Sequence, residues 1–321
     1  MTRSLLLYLA LAGVAIAKAS DYPLTVRSCE RNVTFTQAPQ RAVSHDLNMT
    51  DMLLALGLRE RMVGFTGISG WKTLDPALRA QLAGLPEIAP RHPSVENLLA
   101  AGADLYVAGW NYGMRVGGPV TPQTLAPLGI AVYELSESCS FVMDQREARF
   151  ADLYNDLRNL GRIFSVEARA QELVDQLRQR VQRVQAALGE NPVRPRVFLY
   201  DSGEDRPLTS GRLGMPQALI QGAGGQNVMG DISGSWVSVN WESVVERNPE
   251  VMVIVDYGPT SWQAKRDFLL QHPALQSVDA IRHQRFVVLS YIQATPSLHN
   301  AQALEILAQA LHPERFAEAA R

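Results

Sequence analysis

Short runs of apolar residues alternate along this chain with longer stretches in which apolar residues recur every three or four positions. The first rhythm belongs to buried strands and the second to amphipathic helices, so the alternation predicts an α/β protein built on mostly parallel sheets. The strand-like runs fall into two sets. Arg41–Ser44, Met62–Phe65, Leu105–Ala108 and Ile130–Leu135 make the first, and Val197–Tyr200, Asn227–Met229, Val251–Val255 and Phe286–Leu289 the second. From Met143 to Leu188 the periodicity is helical throughout.

Within that stretch Ala170, Leu173, Val174, Leu177, Val181, Val184 and Leu188 mark one apolar face, with Gln, Arg and Asp between them. Ser165 is placed to cap the helix start and Gly189 to stop it. About 24 residues at 1.5 Å rise give roughly 36 Å, the length of a domain. The helix interior has no Gly, Ser or Pro, so it predicts a rigid strut between two lobes. The expected organisation is a leader over 1–19, an N-terminal lobe over 20–142, linking helices over 143–189 and a C-terminal lobe over 190–321.

The leader follows from the first residues. Met1-Thr2-Arg3 is a short cationic start, Ser4 to Ala17 is almost uninterrupted apolar sequence, and Ala17-Lys18-Ala19 offers a small-x-small cleavage site before Ser20. No Cys stands at that cut, so export to the periplasm without a lipid anchor is expected. Composition adds limits. The 321 residues are 46% hydrophobic and 19% charged with a net charge of -2, an ordinary globular balance with no basic face for nucleic acid. Losing Arg3 and Lys18 with the leader leaves 28 basic against 32 acidic residues, or -4. Cys29 and Cys139 are the only cysteines, and two thiols cannot make a zinc site alone. In an oxidising compartment they either bridge or lie as two separate buried thiols, and spacing leaves both open.

An internal repeat organises the two halves. Glu96-Asn-Leu-Leu-Ala-Ala-Gly-Ala-Asp104-Leu-Tyr-Val-Ala108 lies without a gap on Glu242-Ser-Val-Val-Glu-Arg-Asn-Pro-Glu250-Val-Met-Val-Ile254, at an offset of 146 residues (96 to 242). Each copy reads as a helix with a Glu near its start, then a turn, then a buried strand. The repeat predicts a pseudo-symmetric pair of lobes with each Glu on an equivalent outer surface.

Catalytic signatures are few. Gly230-Asp-Ile-Ser233-Gly has the wrong glycine spacing for a nucleophile elbow. Gly222-Ala-Gly224-Gly225 lacks the dinucleotide fingerprint and reads as a turn. The six histidines are dispersed, with no HxH or HExxH pair. In open α/β sheets ligands sit beyond the carboxyl ends of the strands. Those positions hold His45, Asp46 and Asn48, then Trp71, then Trp110, Asn111, Tyr112 and Arg115, then Glu137 and Ser138. In the second half they hold Tyr200, Asp201 and Arg206, then Trp236, Tyr257, and Tyr291 with Gln293. Trp71, Trp110, Trp236 and Trp241 fall in or near such loops, which predicts an aromatic cleft for a bulky, flat or partly apolar ligand. Arg115 and Arg206 add anion recognition.

These residues carry a family resemblance over Asp21 to Arg321. The chain resembles the class III periplasmic substrate-binding proteins of ABC importers, the rigid-helix type that serves ferric siderophores, haem and cobalamin. The match runs through Ala38-Pro-Gln-Arg41-Ala-Val, Thr50-Asp-Met-Leu-Leu-Ala-Leu-Gly57, Val63-Gly64, Ser94-Val-Glu96-Asn-Leu-Leu, the long helix and Trp236-Val-Ser-Val-Asn-Trp-Glu242. Asp51 departs from the Glu common in the family's first helix. The resemblance implies two Rossmann-like lobes joined by a long helix, with the ligand cleft between them. It also implies that Glu96 and Glu242 dock onto arginines of an inner-membrane permease, and that Trp236, six residues before Glu242, lines the cleft.

The expected function is therefore capture of a ferric siderophore or similar metal chelate by a monomeric protein without catalysis or cofactor. The alternatives within the family are a corrinoid such as cobalamin, and haem, for which Tyr112, Tyr257 or Tyr291 would serve as axial ligand. Outside it stand an exported α/β enzyme, whose mark would be a nucleophile–base pair in the cleft, and a scavenger with no transporter.

Overall fold

The computed structural model describes residues 21–72, 76–144, 147–190 and 192–316; the leader read over 1–19 lies outside them. Six parallel strands form the N-terminal sheet: Glu87–Ala89, Met62–Thr66, Ala42–His45, Leu105–Trp110 and Ala131–Glu134 in spatial order, with the two-residue Gly113–Met114 also pairing the end of Leu105–Trp110. Four form the C-terminal sheet in the order Gln226–Asn227, Arg196–Tyr200, Val251–Asp256, Phe286–Ser290, again parallel. Each sheet has its central strand buried along almost its whole length, because helices cover both faces. That is why these strands read as continuous apolar runs. Strand order reverses beside Ala42–His45 in one sheet and Arg196–Tyr200 in the other.

The apolar runs do not reveal the short parallel strands Glu87–Ala89 and Gly113–Met114, nor the antiparallel ones. Leu24–Ser28 pairs with Arg31–Phe35, and Leu208–Ser210 with Trp236–Ser238. Leu24–Ser28 alternates buried and exposed residues, the period-two pattern of a one-sided sheet rather than an apolar run. The turn at Cys29, where φ is 48°, brings its sulfur to Cys139 in the short 3-10 helix Ser136–Phe141, and the two form a disulfide with an S–S distance of 2.01 Å.

The long helix spans Glu167–Leu188, 22 residues, and its buried positions are the seven of the apolar stripe. Its start differs from the expectation: Ser165 lies at φ 56° in the turn before the helix, its hydroxyl 3.2 Å from that of Tyr22, and Val166 takes the cap position with no side-chain bond. The helix is tied to both lobes. Arg169 Nε donates to the carbonyl of Ala55 at 3.0 Å, and Arg180 pairs with Glu305 through two bonds of 2.9 and 2.5 Å. One continuous apolar cluster runs from Met49 and Leu53 through Leu157, Val174 and Leu177 to Leu199 and Leu304, so the lobes share a core.

The repeat is deeper than its sequence. Ser94 and Asn240 cap the helices Val95–Ala100 and Trp241–Arg247, and each lobe's Glu stands exposed two residues after its cap. Asp104 accepts the backbone N–H groups of Gln40 and Arg41 at 2.7 and 3.0 Å, and Arg41 donates to the carbonyls of Ala101 and Gly102, both at 2.7 Å. In the second lobe Glu250 accepts the N–H of Arg196 at 2.9 Å, and Arg196 Nε donates to the carbonyl of Asn248 at 2.8 Å. An arginine entering the first strand of each sheet therefore satisfies carbonyls at the end of each repeat helix.

Candidate functional site

A cavity of about 370 Å³ lies between the lobes, lined by Leu47, Lys72 and Leu78 on one side and by residues of the segments Asp256–Ser261 and Ser290–Ile292 on the other. Both sheets contribute the carboxyl ends of their strands. The Tyr257 and Tyr291 rings form its aromatic wall, their centroids 5.2 Å apart at 59°.

Each ring is held by a buried carboxylate. Tyr257 donates to Asp201 Oδ2 at 2.7 Å, and Tyr291 donates across the cleft to Asp46 Oδ2 at 2.6 Å. Burial first, and the neighbouring carboxylates second, push both phenols above their usual range. Neither is poised to become a phenolate. Asp201 itself is 3% exposed and its carboxyl is raised by burial. Its carbonyl and that of Val255 receive the Lys265 ammonium, both at 2.6 Å, and burial lowers that lysine.

Behind the N-terminal wall His45 is buried, with Nδ1 2.8 Å from the Thr66 hydroxyl and its ring stacked on His92 at 5.6 Å. Burial lowers its pKa to about 3, so it is neutral. Asn48 is fully buried and donates to the carbonyl of Pro296 at 3.1 Å, a second bond between the lobes. Trp71 stands at the rim with the Arg91 guanidinium 4.2 Å above its ring, and its carbonyl faces Gly258 so closely that a Cβ there would sit 3.1 Å away. Gly258 is at φ 73°, and the two loops meet over the cleft at this point. Arg115 is exposed beside His92, and Arg206 is exposed on the loop after Asp201.

Deeper along the seam Tyr112 accepts a 2.8 Å bond from Trp236 Nε1. Glu137, 1% exposed, accepts from the backbone N–H of Met215 and the hydroxyl of Ser235, both at 3.0 Å, and its second oxygen has no partner. Burial raises its pKa to about 7.

Two sequence expectations are corrected. The strand Leu105–Trp110 runs two residues past its expected end, so Trp110 is a strand residue, 5% exposed, donating to Glu134 at 2.9 Å beside Ser28 and Arg31. It belongs to the apolar cluster around the disulfide and does not face the cavity. Trp241 opens a helix and packs among Phe198, Tyr200, Phe268 and His272 in the C-terminal core. The sequence reading passed over Lys72, His92 and Lys265 because nothing local marks a lysine or histidine that meets its partner only through the fold. Among the described residues no group of three or more His, Cys, Asp or Glu is gathered to hold a metal ion, and no helix is long and apolar enough to cross a membrane.

A sequence profile of periplasmic binding proteins matches residues 43–291. The uncharacterized ABC transporter substrate-binding lipoprotein YvrC of Bacillus subtilis is 22% identical over 94% of this chain and 89% of its own length. The vitamin B12-binding protein of Pectobacterium carotovorum is 26% identical over 67% of this chain and 71% of its own. Among solved structures, an ABC-type Fe3+-hydroxamate transport system protein from Saccharomonospora viridis superposes with a TM-score of 0.77 at 25% identity, over 90% of this chain and 99% of that one. A periplasmic binding protein from Veillonella parvula superposes at 0.78 with the same identity, over 90% and 97%. With two parallel-sheet lobes, a shared core through one long helix and a cleft at the strand ends, this chain belongs to the periplasmic binding protein family, as a substrate-binding protein of the ABC-importer class.

Proposed function

We propose that the protein captures a metal chelate whose coordination sphere is already complete, a ferric siderophore first and a corrinoid second, and passes it to a permease without altering it. The observation that carries this reading is the aromatic wall. Tyr257 and Tyr291 line the cavity while their hydroxyls are spent on Asp201 and Asp46. A wall of this kind suits contact with the organic shell of a chelate. It is a poor source of axial ligands, and Tyr112, whose hydroxyl receives Trp236, is no better placed. Haem, which needs such a ligand, is the weaker cargo.

Glu96 and Glu242 would meet basic residues of the permease, because each is an exposed carboxylate at the start of the same helix in two lobes fixed by one core. The relatives named for vitamin B12 and Fe3+-hydroxamate support both cargo classes. The protein would act in the periplasm as a soluble monomer cut before Ser20. An intact mass of the processed protein equal to the chain from Ser20, with no added lipid, checks that point.

The binding reading is tested by tryptophan fluorescence of the processed protein titrated with a ferric trihydroxamate, a ferric tris-catecholate, cobalamin and haemin. Saturable quenching by a chelate below micromolar concentration is expected, weakened in Trp236→Ala. Silence with all four would overturn the chelate reading.

A further inference from the structure

Asp46 is an unusual residue to find beneath a ligand cleft. It follows the strand Ala42–His45 with φ 66°, a left-handed conformation that costs a non-glycine residue about 1 kcal/mol or more. That conformation turns its carboxylate under the cavity, where it is 3% exposed and receives three donors. These are the Leu47 N–H at 2.6 Å, the Lys72 ammonium at 2.7 Å and, from the other lobe, the Tyr291 hydroxyl at 2.6 Å. Lys72 is nearly as buried, with 6% of its side chain exposed, and its ammonium lies 4.1 Å from the centre of the Tyr291 ring. Leu47, Lys72 and Tyr291 all line the cavity.

The remaining charges leave no surplus cation at the floor. The charged lining residues are Lys72 and Asp256, the latter accepting the N–H of Trp262 at 3.0 Å. Lys265 is turned away onto two carbonyls beside Asp201. Asp46, Asp201 and Asp256 thus face Lys72 and Lys265. The arginines near the cleft, Arg91, Arg115 and Arg206, are exposed, where water and salt screen them. A polyanion entering the cavity would lose hydration without meeting an unpaired cation.

We propose that Asp46 sets the charge selectivity of this cleft: by holding Lys72 across from Tyr291 it keeps the floor free of net positive charge and restricts the cargo to chelates with no net negative charge. The inference rests on the chelate-binding reading above and narrows it. Three hydroxamates cancel the charge of ferric iron, whereas three catecholates leave a trianion, so the two chelate classes differ where Asp46 acts. Asp46 is a positioning residue and need not touch the cargo.

The test is a fluorescence titration of the processed protein, of Asp46→Asn, and of Asp46→Asn with Lys72→Met, against a ferric trihydroxamate and a ferric tris-catecholate. The amide keeps the shape, and its one oxygen can still accept from Leu47 and Lys72 while its NH2 group faces the Tyr291 hydroxyl oxygen, which can accept, but it leaves the ammonium uncompensated. The unmodified protein is expected to favour the trihydroxamate. Asp46→Asn should shift the ratio of the two affinities toward the tris-catecholate by roughly ten-fold or more, and the double variant should return the ratio. Equal weakening of both ligands in Asp46→Asn would mean a purely structural role and overturn the proposal. So would preference of the unmodified protein for the trianion, although chelate binding itself would then stand. Binding of neither class by the unmodified protein would instead remove the reading underneath.

Discussion

Trp236 in the C-terminal lobe donates its indole N–H to the hydroxyl of Tyr112 in the N-terminal lobe, 124 residues away in sequence, at 2.8 Å. The bond joins the two lobes through side chains alone. Trp236 is half-buried and Tyr112 buried, and neither lines the cavity between Lys72 and Tyr291. Replacing Tyr112 with Phe removes the acceptor and should cost about 1 kcal/mol of stability in urea unfolding. Because the interaction is pairwise, Trp236→Phe made on top of Tyr112→Phe should cost clearly less than Trp236→Phe alone. Additive losses in the double-mutant cycle would show that the bond contributes nothing.

The disulfide closes a loop of 110 residues, from the first hairpin to the end of the N-terminal sheet. Chain-entropy reasoning assigns such a loop roughly 4 to 5 kcal/mol, reached only in part when the native state relaxes. Cys29→Ser with Cys139→Ser should lower unfolding stability by about 2–5 kcal/mol, and reductant should have no further effect on that variant.

Two buried acids contribute to the response to pH in one direction. Burial raises Glu137 and Asp156 to about 7 in the folded chain, far above their unfolded values. Between the unfolded and folded pKa the native state holds protons that the unfolded state has released. Each therefore contributes stability that is lost as pH rises from about 4 to 7, while the buried, neutral His45 contributes the opposite slope between about 3 and 6.5. Glu137→Gln removes one such penalty while its amide oxygen can still accept from Met215 and Ser235. Its urea midpoint should exceed that of the unmodified protein at pH 8, by up to about 3 kcal/mol, and the gap should close near pH 5. A constant gap across that range would contradict the assignment.

Docking separates from binding in a transport assay. Glu96→Ala with Glu242→Ala should abolish uptake by cells carrying the cognate permease and leave the chelate Kd unchanged. A scavenger without a transporter would show no uptake defect.

How much of this was legible in the string depends on how local the cause is. The longer parallel strands and the buried face of Glu167–Leu188 are set by periodicities of a few residues, and they stand where those periodicities put them; the short edge strands Glu87–Ala89 and Gln226–Asn227 do not. The repeat pointed to Glu96 and Glu242, and the fold places both at equivalent helix starts. The cleft was legible only as a neighbourhood. Tyr257 and Tyr291 follow from the rule of strand ends, but Trp110 obeys the same rule and turns to Glu134, because its strand runs on two residues and carries it inward. Lys72 was invisible. Its partner is 26 residues back and the ring beneath it lies in the other lobe, and no local pattern distinguishes it from a solvated lysine.

The shared apolar core bears on the origin of the two lobes. Arg41 with Asp104, and Arg196 with Glu250, repeat one local device in each half, so the halves carry the marks of copies. Yet Leu157, Val174 and Leu177 belong to one buried cluster that holds residues of both. A break in the chain between the copies would free no half-receptor, since each fragment would present one bare side of a core completed only by the other. Whatever their ancestry as separate units, the lobes have become a single unit of folding, and calorimetry should find one melting transition rather than two.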